Sequence, residues 1–289
     1  MAVALWAGAG LGAAPWAGPP SVPGPETPAA AAQADSIQLS SYRPNFFGYV
    51  VDAERKTRLD LSVKYPLMSF RRAAPGQAGW LDLFFVYTGI YDFDFQRPSA
   101  PLLSRLQEPG FFLRLKDPAV PSPSWYSLGY FHESDGQVLN RTNYFASTDP
   151  HREDLISRGW DFVELGAFQR CLDAGAGRFF GGLDLRYYLP FQLLGISASE
   201  EDVFWDPHGQ GIQRDQYDGV RPSFTYLDPW VEVTEEFRVG YATPLHCANQ
   251  LTVRLRKIPI GLSWFNGYGE YVSRYDAPGN AVSIGLYLH

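Results

Sequence analysis

The feature that most constrains this chain is a period of two in its apolar residues, repeated in run after run. In "RLDLSVKYPL", Leu59, Leu61 and Val63 alternate with Asp60, Ser62 and Lys64. "RFFGGLDLRYYL", "WVEVTEEFRVGYA" and "NQLTVRLRK" alternate in the same way, and the final "AVSIGLYLH" sets Val282, Ile284, Leu286 and Leu288 against Ser283, Gly285 and Tyr287. Helical runs would repeat at 3.6 residues, whereas alternation puts successive side chains on opposite faces of a strand. Turn signals such as "DPAVPSP", "DAGAG", "DAPGN" and "KIPIG" separate the runs.

The pattern predicts twelve strands, near 37–50, 57–66, 80–94, 110–117, 123–134, 159–171, 178–190, 216–227, 229–242, 248–257, 259–270 and 279–288. Several exceed the five or six residues usual in soluble sheets. Short connections mix with long ones at 135–158 and 191–215. Long strands, an even count and lopsided loops predict an all-β fold, a twelve-stranded antiparallel transmembrane β-barrel. Closure pairs every backbone group, which lipid requires. The 16% aromatic content suits interfacial girdles. A soluble β-sandwich or lipocalin-like barrel is the competing architecture.

Charged residues make up 19% of the 289, with a net charge of -7 and one dense basic run, "ERKTR". A nucleic-acid partner needs clustered cations, so none is expected. No apolar run reaches the roughly 18 residues of a membrane helix. Cys171 and Cys247 have neither metal-site nor redox spacing and read as bystanders.

Residues 1–34 stand apart: Ala-, Gly- and Pro-rich, with Glu26 as the sole charge. They end in Ala32-Gln33-Ala34, which fits a signal-peptidase site, although a basic opening segment is missing. The expectation is a signal peptide or disordered Ala/Pro-rich segment at 1–34, then one barrel domain at 35–289. The alternative for 1–34 is a plain disordered tail.

The candidate chemistry lies in "SLGYFHESDGQ". Tyr126, Leu128, Tyr130, His132 and Ser134 share one parity, the lipid-facing one in a barrel, while Phe131 and Glu133 share the other. In the next strand, "RGWDFVELGAFQRCL", Asp161 shares its parity with Val163 and Leu165, whereas Glu164 and Gly166 face the lumen. The loop joining the strands brings their ends within cross-strand reach. Ser134 is then the expected nucleophile, His132 its general base and Asp161 the group orienting the imidazole. Chance alone can place a His and a Ser so. Polar groups are costly on a lipid face, however, and three sharing that face favour a role.

Several segments carry a resemblance. "GYFHESDG" resembles the H-x-S-N-G signature of the outer-membrane phospholipase A family, "SRGWDF" its downstream strand start, and "SWFNGYGEYVSRYD" its penultimate strand and turn. "SYRPNFFGY", "DLSVKYPL", "VYTGIYDFDF" and "SAPLLSRLQEPGFFL" match more weakly. These segments run in the family's order from about residue 40 to the end.

The resemblance implies a calcium-dependent hydrolase of glycerophospholipid acyl esters, dimeric when active, in the bacterial outer membrane. Ser134 and His132 fall on the family's nucleophile and base; Asp161 stands where the family usually has Asn, and Asp135 replaces the Asn after the serine. A carboxylate orients a histidine at least as well as an amide and stabilises the imidazolium, so the pH dependence is expected to differ. Calcium is implied at Ser99, at the backbone of Gln137 and at Ser157, all hard oxygen donors. The loop 138–156 is longer than in the family, and Asp149, Asp154 and Asp206 are alternative ligands. Gly89 occupies the position of a glutamine that bonds across the family's dimer, and His289 replaces the usual terminal aromatic residue. Two other readings stand beside the enzyme: a catalytically inactive or passive barrel of the same fold, and a soluble exported β-domain.

Overall fold

The computed structural model describes residues 39–52, 55–71, 80–95, 102–116, 124–135, 141–148, 152, 156, 158–189, 214–243, 245–270 and 277–288. All of them belong to one compact unit, Ile37–His289. The segment 1–34 and residue 289 lie outside the described residues.

The strands are β1 (Ser40–Ser41), β2 (Asn45–Val51), β3 (Arg55–Arg71), β4 (Trp80–Phe93), β5 (Leu102–Lys116), β6 (Trp125–Ser134) and β7 (Gly159–Ala174). They continue as β8 (Gly177–Tyr188), β9 (Val220–Leu227), β10 (Val231–Val239), β11 (Cys247–Leu255), β12 (Ile260–Tyr268) and β13 (Pro278–Leu288). Each strand from β2 to β13 pairs antiparallel with its neighbour in sequence, and β13 returns to pair with β2. The result is a closed twelve-stranded barrel to which the two-residue β1 adds an extension. A short helix, α1 (Arg141–Ala146), lies in the β6–β7 connection.

Several expected strand boundaries moved, two of them at prolines. The run expected at 37–50 breaks before Asn45, because Pro44 cannot donate to a ladder. There the Asn45 side chain accepts the Ser62 N–H at 2.6 Å, and the Arg43 N–H donates to Ser62 Oγ. The strand expected at 110–117 begins instead at Leu102, running through Pro109. Pro109 pairs with Tyr87 of β4, while the β5–β6 register passes from Gln107–Ser134 to Gly110–Phe131 with no pair between.

The surface is inverted relative to a water-soluble protein. Phe47, Leu61, Leu128, Leu165, Ile284 and Leu286 are exposed, whereas Ser62, Asp92, Glu108, Glu133 and Arg186 are buried. Apolar-out, polar-in alternation around a closed barrel is the build of a transmembrane barrel of the bacterial outer membrane. Exposed Tyr126 and Trp230 lie near one end of the strands, and Tyr187 and Tyr241 near the other. The aromatic content is not all girdle, however. Phe84, Phe112, Phe131, Trp160, Phe162 and Tyr188 form a cluster inside the lumen. Glycines make room for it: a Cβ on Gly110 or Gly129 would sit 2.4 Å from the Phe131 ring.

The remaining lumen holds charge. Arg186 Nε donates to Glu164 at 2.8 Å, Arg58 Nε to Asp92 at 2.8 Å, and Arg43 pairs with Glu108 at 2.9 Å. About 120 Å³ of open space remains beside these groups. A larger cavity of about 550 Å³, lined by Leu227, Glu232, Arg254 and Lys257 among others, lies at the end where the tight turns are. The candidate site is at the other end, beside the long connections.

Candidate active site

The site is built on the β6–β7 ladder. In its register Ser134 faces Gly159 and His132 faces Asp161. Alternation turns Leu128, Tyr130, His132 and Ser134 outward, while Phe131 and Glu133, 1% and 2% exposed, point into the lumen. His132 Nδ1 lies 2.6 Å from Asp161 Oδ1. An ionised carboxylate only accepts, so the ring donates from Nδ1 and keeps Nε2 as its free basic atom.

Asp161 is only 1% exposed although it belongs to the outward row. Its second oxygen, Oδ2, accepts a 2.5 Å hydrogen bond from the Tyr130 hydroxyl. Tyr130, Asp161 and His132 therefore form one hydrogen-bonded chain on the outer face. A carboxylate here needs such donors, since an uncompensated charge out of water is costly. Tyr130 was not among the residues singled out from sequence. The available signal was its parity, two residues before His132.

Gly159 leaves the outward space that the serine and the imidazole share. A Cβ there would lie 3.4 Å from Ser134 Cβ and 3.7 Å from His132 Cε1. On the other flank Gln107 of β5 stands in register with Ser134.

Beyond Ser134 the strand pair is held by one backbone and one side-chain hydrogen bond. The Asp135 N–H donates to the Arg158 carbonyl, and the Arg158 N–H donates to Asp135 Oδ1 at 2.8 Å. Asp135 is fully buried, so its carboxylate serves the backbone beside the site. Arg105 Nε donates to the Asp135 carbonyl at 3.1 Å.

Behind the site the lumen is braced by Arg214, from a 3-10 turn (Arg214–Gln216) before β9. Its Nη2 reaches Asp218 Oδ2 at 3.0 Å and Glu133 Oε1 at 3.4 Å. The guanidinium lies 4.9 Å over the Trp160 ring and 5.7 Å over Tyr188. Glu133 separates His132 from Ser134 in sequence, and Trp160 precedes Asp161. One cation thus touches the inward neighbours of all three site residues. Burial alone would raise the Asp218 carboxyl, but Arg221, Arg214 and Arg186 hold it well below the ordinary range. Spacing gave no sign of Arg214, because its partners are 81 and 4 residues away.

The expected calcium ligands, Ser99, Gln137 and Ser157, lie outside the described residues, as do Asp149, Asp154 and Asp206. Among the described residues, no group of three or more His, Cys, Asp or Glu could hold a metal ion. Cys171 and Cys247 are free and exposed. Gly89 faces outward beneath the Tyr91 ring, where a Cβ would lie 2.7 Å from Cε2, and the Tyr91 and Tyr87 hydroxyls meet at 2.8 Å.

No family model and no curated protein matches this chain. Solved structures do. A calcium-bound dimer of outer membrane phospholipase from Salmonella typhi is 14% identical, with a TM-score of 0.60 over 89% of this chain and 94% of that one. Outer membrane phospholipase A from Escherichia coli, and an active-site mutant of it, are each 15% identical at the same TM-score and coverage. In fold, this chain is a twelve-stranded barrel of the outer membrane phospholipase A type.

Proposed function

We propose that this barrel hydrolyses acyl esters of membrane glycerophospholipids through Ser134, His132 and Asp161. The single observation that carries the reading is the His132–Asp161 bond on the lipid-facing side, with Ser134 on the same face two residues along. Apart from catalysis, little rewards keeping an imidazole–carboxylate pair on a surface that touches hydrocarbon.

In this reading an ester in the outer leaflet meets Ser134 from the side of the barrel. His132 Nε2 takes the hydroxyl proton as Oγ attacks the carbonyl carbon, and Asp161 offsets the charge that develops on the ring. The protonated His132 then delivers that proton to the departing glycerol oxygen. Water, deprotonated by His132, then attacks the acyl carbon, and His132 returns that proton to Ser134 Oγ as the fatty acid departs. Calcium belongs to the reading by resemblance, as a Lewis acid for the carbonyl oxygen with Ser99, Gln137 and Ser157 as donors. A homodimer belongs to it on the same ground, supported by the dimeric form of the Salmonella structure.

The test is acyl-ester release from mixed micelles with calcium and then with EDTA, for the wild type and Ser134→Ala. Calcium-dependent hydrolysis that disappears in Ser134→Ala is expected. A passive barrel shows no hydrolysis in any condition, and full activity in Ser134→Ala sinks the mechanism.

A further inference from the structure

The cross-strand rows around Ser134 bring a second polar group to the outer face. Leu59, Tyr91 and Arg105 occupy one row across β3, β4 and β5; Leu61, Gly89, Gln107 and Ser134 occupy the next, which continues to β6. Leu59 and Leu61 are exposed to the lipid side, and in-register neighbours share a face. Arg105 and Gln107 therefore stand outside the barrel, both half-buried. Arg105 is the diagonal neighbour of Ser134, about 7–8 Å away between Cα atoms.

Neither side chain is spent on the fold. Arg105 makes one hydrogen bond, from Nε to the Asp135 carbonyl, and among the described residues its Nη1 and Nη2 have no acceptor. The Gln107 amide has no hydrogen-bond partner among the described residues either. Arg105 is thus fixed by its inner nitrogen to the residue that follows Ser134, and its two outer nitrogens are left to bind a ligand. A planar guanidinium presented in this way matches two oxygens of a phosphate.

We propose that Arg105 and Gln107 form a phosphodiester subsite that holds a lipid headgroup while Ser134 meets an acyl ester of the same molecule. The proposal rests on the esterase reading and adds what that reading lacks, a reason for a phospholipid over any other ester. In a glycerophospholipid the phosphate and the ester carbonyl are separated only by the glycerol. That span suits a nucleophile and a long cationic side chain on diagonal positions of adjacent strands. Gln107, in register with Ser134, offers its amide between them.

The experiment compares kcat/KM for dioctanoylphosphatidylcholine with that for dioctanoylglycerol, which has the same acyl chains and no phosphate. Arg105→Ala is expected to lower the ratio of the two about tenfold, as loss of a charge-assisted bond does, chiefly through KM. Arg105→Lys, which keeps the charge, should recover part of it. A second arm measures binding of an ether-linked dioctyl phosphocholine lipid to Ser134→Ala in micelles. Adding Arg105→Ala should weaken that binding about tenfold, and millimolar inorganic phosphate should not displace the lipid. Displacement by phosphate would overturn a lipid-headgroup site in favour of a free-anion site. Intact hydrolysis with an unmoved ratio overturns the subsite and leaves the esterase standing. Arg105-dependent binding without hydrolysis in the wild type overturns the esterase reading and leaves the subsite.

Discussion

His132 and Asp161 stand directly opposite each other in the β6–β7 ladder, with Nδ1 and Oδ1 2.6 Å apart, and Tyr130 closes the chain by donating to Oδ2. This bonding orients the carboxylate from both sides, and the behaviour of variants at all three positions follows from it.

Asp161→Asn is expected to keep activity within about tenfold of the wild type. In a protease triad that exchange costs about 10⁴, because the amide presents the wrong face to the histidine. Here a hydroxyl at Tyr130 can switch from donor to acceptor and hold the amide nitrogen, leaving the amide oxygen for His132. Combining Asp161→Asn with Tyr130→Phe removes that guide and should cost a further hundredfold or so. Simple additivity of the two substitutions in kcat would count against Tyr130 as an orienting group. Complete loss in Asp161→Asn alone would mean that the charge itself is indispensable.

Gly159 sets the clearance between serine and imidazole. A Cβ would meet Ser134 and His132 at ordinary contact distances, so Gly159→Ala should fold and retain measurable hydrolysis. Gly159→Val adds two methyl groups to the same space. It should cut kcat by about a hundredfold, as misplacement of reacting groups by an ångström does, while the heat-shift of the barrel on a gel stays normal. An active Val variant would show that the reacting groups do not meet there.

Arg214 braces the inward side of both site strands. Arg214→Ala takes one cationic partner from the buried carboxylates Glu133 and Asp218. Arg186 stays near both and Arg221 stays on Asp218, so the change should cost less than the about 3–5 kcal/mol of a fully stranded buried charge. The expected result is a lowered unfolding temperature together with reduced kcat. Pairing Arg214→Ala with Glu133→Gln should restore part of the stability, because one undercompensated charge is gone. If the double variant is less stable than Arg214→Ala, the brace does not act through Glu133.

Acid should loosen the connection before β9. In the folded chain Asp218 is held below its ordinary value, burial being outweighed by Arg221, Arg214 and Arg186. Its stabilisation is therefore complete above the unfolded carboxylate value near 4 and is lost as pH falls through the lower folded value. The heat-shift midpoint of the wild type should hold above about pH 4 and drop progressively as the pH falls below it. Asp218→Asn should start lower at neutral pH and drop less. Parallel pH curves for the two proteins would remove Asp218 from the account.

Alternation alone determined the architecture. Twelve runs of period two, several longer than is usual in soluble sheets, predict a barrel with apolar residues outside, and His132, Ser134 and Asp161 share an outward parity whatever the details of packing. Parity is a local property, since each residue's side is set by its neighbours one bond away. Register, long-range pairing and lumen packing are not local. Only the closed barrel decided that His132 meets Asp161, that Tyr130 completes the carboxylate's bonding, and that Arg214 reaches Glu133 across 81 residues. Pro109 and Pro44 show the same division. The expected strands ran across Pro44 and began only after Pro109, yet Pro109 lies within β5, where the ladder passes from Gln107–Ser134 to Gly110–Phe131. At Pro44 the strand does break, and the Asn45 side chain takes up the Ser62 N–H. What a residue must leave unpaired can be read along the chain, but what pairs in its place is decided by strands distant in sequence.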